Sequence, residues 1–148
     1  GAEISYAFSV HHQRRPGIPL DGFSHALLWL YELRLAQLEG KGLTIDELID
    51  ASKQPYAIDV GDVLKQLIVA KLIKRTNDGH YILSRDLGQL TLYDLSQLLP
   101  FRLPTLIELS HHKDPVAKRW QAQIQKADKQ LKQLFMVSLE QLFRDGGE

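Results

Sequence analysis

The sequence predicts a mainly α-helical protein with a small β-hairpin, built as a winged-helix domain followed by a long C-terminal amphipathic helix. Helix start signals recur three times before residue 100, and the turn sequence Asn77-Asp78-Gly79 lies between the last two. Beyond residue 114, apolar residues recur every three or four positions. These patterns divide the chain into an N-terminal segment, a winged-helix-like domain, and a linker with a long helix, at 1–21, 22–99 and 100–148.

The composition is that of an ordinary globular protein without net charge. Of 148 residues, 44% are hydrophobic and 24% are charged, and 18 basic residues balance 18 acidic ones. A nucleic-acid-binding domain usually carries an excess of basic residues, so this balance argues against that class. The absence of cysteine excludes disulfides, thiolate metal sites and cysteine catalysis. No apolar stretch reaches the roughly 18 residues of a membrane span.

The first two helices have clear start and end signals. The segment 23–38 is apolar on most of its faces, which predicts a central helix that Asp21 can cap. Gly40 follows as a helix-ending residue. Thr44 with Glu47 then forms a capping-box sequence, which predicts the start of a second, short helix.

Two further helices begin with a similar pattern. At Asp59 it opens a helix over 60–71, and at Thr91, with Asp94 as the third helical residue, it opens a helix that Pro100 ends. Between them, the Asn-Asp-Gly sequence predicts a hairpin. Three helices followed by a hairpin, with the third helix running straight into the first strand, form the winged-helix plan. The third helix should bury Val60, Val63, Leu64, Leu67 and Ile68.

The last predicted helix begins at Pro115, after an Asp114 cap, and stops at Gly146. Its apolar stripe could pack on its own domain or pair with a second copy to form a homo-oligomer, and the sequence leaves both open. Its basic side could face an anionic lipid surface or simply be solvated. The stripe consists of Val116, Trp120, Ile124, Ala127, Leu131, Leu134 and Ser138. The basic side consists of Lys118, Arg119, Lys126, Lys129 and Lys132.

The helix over 60–71 occupies the place of a recognition helix, so its charges bear on a DNA-binding function. Asp59 and Asp62 lead this helix, and carboxylates there would be repelled by phosphate. We therefore favour protein contact or packing as its use, and nucleic acid is not the expected partner. The alternative, a DNA-binding transcription regulator, would use the cations Lys65, Lys74, Arg75, His80 and Arg85.

The sequence predicts no metal site, cofactor site or catalytic site. The pairs His11-His12 and His111-His112 are adjacent residues, which point to different sides of a helix, whereas ligand sets usually draw on i and i+4 or on several elements. No HExxH, phosphate-binding loop, dinucleotide-binding or GxSxG motif occurs. The acidic residues within 46–50 are explained by helix capping. We therefore expect no enzymatic activity.

Short motifs at several places carry a family resemblance. They are the GAE sequence at 1–3, the basic segment at 11–15, LTIDEL at 43–48, the hairpin, and LTLYDL at 90–95 with Asp86 before it. In these motifs the chain resembles the C-terminal cytoplasmic region of the YihY/BrkB family of bacterial inner-membrane proteins. In that family the last membrane helix ends in a GAE-type motif, followed by a basic segment and a soluble tail.

The resemblance implies a location in the cell and a partner. Residues 1–21 would be the end of the last membrane helix and its exit, with Arg14 and Arg15 on the cytoplasmic side by the positive-inside rule. The chain would be a non-catalytic interaction or regulatory domain at the cytoplasmic face of the bacterial inner membrane, with its own membrane domain as partner. The family carries the label ribonuclease BN, but this sequence contains no recognisable nuclease constellation.

The rival class is a soluble winged-helix regulator. One iron–sulfur-type group of these regulators has a similar hairpin and a helix start like that at 90–95, but it needs three cysteines and this chain has none. Lys71 stands where many winged helices have Gly before the first strand, which departs from both patterns.

Overall fold

The computed structural model describes residues 20–52, 60–112 and 115–145. These residues form seven α-helices and one antiparallel sheet of two strands, so the fold is mostly helical with a small hairpin, as predicted. The described residues up to Pro104 form one compact unit, and those from Thr105 on form a second. The elements are α1 (Gly22–Leu38), α2 (Ile45–Ser52), α3 (Val60–Val69), β1 (Ile73–Arg75), β2 (Tyr81–Leu83), a 3₁₀ turn (Leu87–Gln89), α4 (Leu92–Leu98), α5 (Leu106–Leu109), α6 (Pro115–Leu134) and α7 (Leu139–Asp145).

Helix α1 is the centre of the first unit. The Asp21 carboxylate accepts a hydrogen bond from the Ser24 backbone N–H at 3.0 Å and caps the helix. Phe23 and Trp29 are fully buried, and α1 contacts α2, α3 and β2. The prediction of a central helix is therefore confirmed. Burial of these two large aromatic side chains contributes to the hydrophobic stabilisation of this unit.

Two helix starts follow the predicted capping boxes. Glu47 Oε1 accepts from the Thr44 backbone N–H at 3.0 Å, and Thr44 Oγ1 accepts from the Glu47 backbone N–H at 3.2 Å. Thr91 and Asp94 exchange the same pair of bonds at 3.1 and 3.0 Å. Each box satisfies two backbone donors that the helix itself leaves unpaired. Both boxes are confirmed.

Helix α3 ends earlier than the predicted residue 71. Lys71 has φ +60, in the left-handed region, and the Leu72 N–H donates to the Leu67 carbonyl at 3.0 Å. These features define a Schellman motif, in which Lys71 occupies the position that glycine usually takes. The departure noted at Lys71 in the sequence is thus a real conformational feature. It terminates the helix at Val69 and directs the chain into β1.

The hairpin forms where it was predicted. Strands β1 and β2 pair antiparallel with Ile73 opposite Leu83, and Gly79 in the turn has φ +85. Leu43, which precedes α2, adds an isolated antiparallel bridge to Tyr81, with its N–H donating to the Tyr81 carbonyl at 3.0 Å. The chain between α1 and α2 thereby becomes a third, short partner of the hairpin.

Two predicted details of the helices are wrong. Ile68 is 41% exposed rather than buried, because Val63, Leu64 and Leu67 already fill the inner side of α3 and the next residue points away from it. The C-terminal helix does not run unbroken to Gly146.

A second helix start interrupts that C-terminal segment. Helix α6 ends at Leu134, and the Ser138 hydroxyl accepts from the Gln141 backbone N–H at 3.0 Å to cap α7. Ser138 and Gln141 form a capping-box sequence, a local signal for a new helix within the apolar periodicity that predicts one continuous helix. The same kind of signal, Thr105 with Glu108, starts the short helix α5, which was not predicted.

Candidate functional site

A cleft of about 770 Å³ opens in the first unit between α1, the hairpin and the 3₁₀ turn. Helix α1 contributes Arg34, Gln37 and Leu38, strand β1 contributes Lys74, and residues 83–88 complete the wall. Direct packing of α1 on β2 holds these elements together. The cleft has the size of an ordinary small-ligand site.

The cleft is positively charged in a chain that has no net charge. Its lining holds three cationic side chains, Arg34, Lys74 and Arg85, and one carboxylate, Asp86. The Asp86 carboxylate accepts a hydrogen bond from the Gly88 backbone N–H at 2.9 Å, which stabilises the 3₁₀ turn. The remaining excess of positive charge gives the cleft an attraction for anions.

The cations of the cleft are available to a ligand. Arg34, Lys74 and Arg85 are all exposed, and none of their side chains forms a hydrogen bond or an ion pair with any residue in the described ranges. Arg85 has a long-range neighbour in Asp94. Hydrogen bonds from Thr91 lower the pKa of Asp94, and the Arg85 charge adds a smaller effect in the same direction.

The structure brings together two of the predicted nucleic-acid contacts and adds a cation that the sequence did not reveal. Lys74 and Arg85 face the cleft, where Arg34 joins them. Arg34 was missed because the helix that carries it was interpreted only as core. The available signal was its spacing of three residues from Gln37, which places the two polar side chains on one side of α1.

The other predicted contacts lie outside the cleft lining. Lys65 is exposed on α3, and the Arg75 guanidinium lies beside Gly79 in the hairpin turn. His80 Nδ1 is 3.1 Å from Asp78 Oδ1. Arg14 and Arg15, the predicted membrane-exit residues, lie outside the described residues, as do the predicted caps Asp59 and Asp114.

The face of α3 that would read DNA carries few cations. Its described exposed residues are Gly61, Asp62, Lys65, Ile68 and Val69, which include one cation, one carboxylate and two large apolar side chains. A DNA-reading helix normally presents basic and amide side chains to base edges and phosphates. The described part of this face therefore differs in composition from a DNA-reading helix.

The second unit exposes a large set of apolar side chains, which we call the C-terminal apolar surface. Each member is between 44% and 80% exposed. Earlier in α6, by contrast, Ala117, Trp120 and Ile124 are at most 7% exposed. The surface consists of Leu131, Leu134, Phe135, Met136, Val137, Leu139, Leu142 and Phe143.

The described residues hold neither a cluster of metal ligands nor a membrane-spanning helix. Within 20–52, 60–112 and 115–145, no three His, Cys, Asp or Glu side chains converge as metal ligands would. Of the paired histidines, His111 is exposed and His112 is half-buried. No described helix combines the length and the apolar character that crossing a bilayer requires.

Comparison with known proteins finds membrane proteins as relatives. The chain is 58% identical over 147 residues to a UPF0761 membrane protein of Legionella pneumophila strain Philadelphia 1. The aligned region covers 99% of this chain and 36% of that relative. It is 32% identical over 148 residues to a UPF0761 membrane protein of Alkalilimnicola ehrlichii, covering 97% of this chain and 33% of the relative. The chain thus spans about a third of the length of these relatives. No family model and no solved structure matches it.

Proposed function

Because this chain is homologous over its whole length to UPF0761 membrane proteins, the YihY/BrkB family, we propose that it is the cytoplasmic domain of such a protein. In this role it is a non-catalytic interaction or regulatory domain at the inner membrane, and the membrane domain of the same protein is its neighbour. The basic residues Arg14 and Arg15 support the cytoplasmic side, since positive charge next to a span is retained there.

The observation that carries the interaction role is the C-terminal apolar surface. The stripe of α6 is buried at Trp120 and Ile124, but its continuation at Leu131 and Leu134 is 48% and 73% exposed. Exposure of eight large apolar side chains within residues 131–143 is unusual for a soluble monomer, because burying them against a partner is favourable. A binding partner is therefore expected on this end of the helix.

A second copy of the chain is the partner that the spacing supports best. Within α6 the exposed part of the stripe, Ala127, Leu131 and Leu134, advances by four and then by three residues. This is the heptad spacing with which helices of two copies interlock. The rival partner is the membrane domain of the same protein.

Sedimentation velocity on the 148-residue chain tests this contact. We expect a concentration-dependent dimer for the natural chain and a monomer for the double variant Leu131→Ser, Leu134→Ser. The matched control, Gln125→Ser with Lys129→Ser, changes two exposed residues on the other side of α6 and should leave the dimer intact. A natural chain that stays monomeric at every concentration would rule out the second copy and favour the membrane domain as the partner.

The first unit is, in this proposal, a winged helix used for protein contact. Its support is the order of three helices and a hairpin, the passage from α3 through Lys71 into β1, and the bridge of Leu43 to Tyr81. DNA binding by the same unit is the second candidate, because Lys74 and Arg85 share one cleft. The mixed exposed face of α3 is the reason to rank it second.

A further inference from the structure

The basic cleft has the features of a site for a phosphate group. Arg34 comes from α1, Lys74 from β1, and Arg85 from the segment after β2, so three separate elements deliver cations to one concave surface. None of the three forms an ion pair within the described residues. Guanidinium groups bind phosphate oxygens in bidentate geometry, and an ammonium adds a point charge. The Gln37 amide on the same wall adds neutral donors.

We propose that this cleft binds the phosphate of an anionic phospholipid head group. The proposal rests on the proposed function, because a domain tethered to a membrane protein is held next to the lipid surface. It identifies the lipid contact with the first unit and not with the basic side of α6. Each cation near an anionic membrane contributes a similar increment of attraction, so the three cations together raise the affinity for an anionic surface on the order of a hundredfold.

The shape of the site favours a lipid head group over duplex DNA. The cations line one open cleft of about 770 Å³, whereas a DNA-binding surface tracks successive phosphates along a groove. Helix α3 contributes no residue to the cleft, and its exposed residues include Asp62 and two apolar side chains, Ile68 being 41% and Val69 65% exposed. A lipid phosphate needs only the local charge, and the chain as a whole is neutral.

Vesicle co-sedimentation with the 148-residue chain tests the proposal. The vesicles contain phosphatidylcholine alone or with about one third phosphatidylglycerol, at about 0.1 M salt. The cleft variant is Arg34→Gln, Lys74→Gln, Arg85→Gln. The matched control removes three positive charges from α6 as Lys118→Gln, Arg119→Gln, Lys126→Gln. All these side chains are exposed, so both variants should fold, and thermal melting by circular dichroism checks this.

The natural chain should bind the phosphatidylglycerol vesicles and not those of phosphatidylcholine alone. The cleft variant should lose on the order of a hundredfold in affinity, and the control should stay within about threefold of the natural chain. Three results would overturn the proposal. They are equal losses in the two variants, a loss confined to the control, and a natural chain that does not distinguish the two kinds of vesicle.

A second measurement locates the ligand and separates its sources. Titration of the ¹⁵N-labelled chain with short-chain phosphatidylglycerol should shift the amide signals of Arg34, Lys74 and residues 83–88. Shifts confined to α6 would contradict the assignment. If glycerol phosphate binds in the cleft and the vesicles do not bind, the ligand of the cleft is a soluble phosphate ester and the lipid proposal is wrong.

The last measurement is the binding of duplex DNA by the natural chain and by the cleft variant. If DNA binds with micromolar affinity at about 0.15 M salt and the cleft variant loses this binding, the ligand of the cleft is nucleic acid and the lipid proposal is wrong. Failure of the lipid proposal in any of these ways leaves the dimer expected in sedimentation velocity unaffected, so the two proposals fail separately.

Discussion

The imidazole ring of His25 meets the indole ring of Trp29 edge to face, with the ring centroids 4.7 Å apart and the planes inclined at 81°. Both side chains are buried on α1, and neither ring nitrogen of His25 has a hydrogen-bond partner among the described residues. Burial lowers the pKa of His25 to about 4, because the charged form would lose its hydration. The core of the first unit therefore holds a neutral histidine.

This burial predicts a loss of stability in acid. The folded state binds the His25 proton only near pH 4, whereas the unfolded state binds it near the ordinary pKa of 6.5. The free energy of unfolding should therefore fall as the pH drops from about 6.5 towards 4, by up to about 3 kcal/mol from this residue. His25→Phe should flatten the dependence, and His111→Gln, at an exposed position, should not. Urea denaturation across this pH range measures the free energy of unfolding of each variant. A pH dependence in His25→Phe as steep as that of the natural chain would contradict the prediction.

Replacement of Lys71 by glycine should stabilise the protein. Lys71 has φ +60, where a side chain is unfavourable and glycine is not. We expect Lys71→Gly to raise the free energy of unfolding by about 0.5–1 kcal/mol, after the extra entropy of the unfolded chain is counted. Lys65→Gly, inside α3, should instead lower it by about 1 kcal/mol. Thermal unfolding of the two variants measures both changes in the free energy of unfolding. A Lys71→Gly variant that is less stable than the natural chain would contradict the Schellman interpretation.

Random duplex DNA should not bind appreciably at physiological salt. The chain has no net charge, and Asp62 lies in the first turn of α3. Any attraction should be weak and should vanish as salt is added, since it would come only from phosphate neutralisation. Fluorescence anisotropy over a salt series, with Lys74→Glu, Arg75→Glu as the comparison, measures this. Micromolar binding at about 0.15 M salt that the double variant loses would favour the DNA-binding regulator.

Precursor tRNA should remain intact when incubated with the purified chain. The ribonuclease label of the family has no catalytic constellation to support it in this sequence, and Asp46 and Glu47 lie in the first turn of α2, where acids favour the helix start. The assay is run with and without divalent metal ions, and the products are separated by electrophoresis. Reproducible cleavage that a single substitution such as Asp46→Asn abolishes would show that the chain is an enzyme.

The features predicted correctly are those set by a few neighbouring residues. Thr44 with Glu47 and Thr91 with Asp94 fix helix starts through hydrogen bonds that span three residues, so the sequence shows them directly. The Gly79 turn is equally local. Such signals do not depend on how the elements pack.

The cleft could not be predicted in the same way. Arg34 and Lys74 are 40 positions apart in the sequence (74 minus 34), and they share a wall only because α1 packs on β2. The break before α7 is a different case, since the sequence analysis counted Ser138 as part of the apolar stripe, whereas its hydroxyl caps a new helix. The last turns of α6 are exposed, so ending the helix at Leu134 loses no buried surface. The local cap could therefore set the position of the break.

Cysteine labelling in cells tests the central claim, that this chain is the cytoplasmic domain of an inner-membrane protein. The chain contains no cysteine, so Lys126→Cys introduces a single thiol at an exposed position of α6. The variant is placed in an otherwise cysteine-free UPF0761 membrane protein, where it replaces the homologous region. A membrane-impermeant maleimide should label the thiol only after the inner membrane is permeabilised, and the protein should sediment with the membrane fraction. Labelling in spheroplasts with an intact inner membrane would contradict the account.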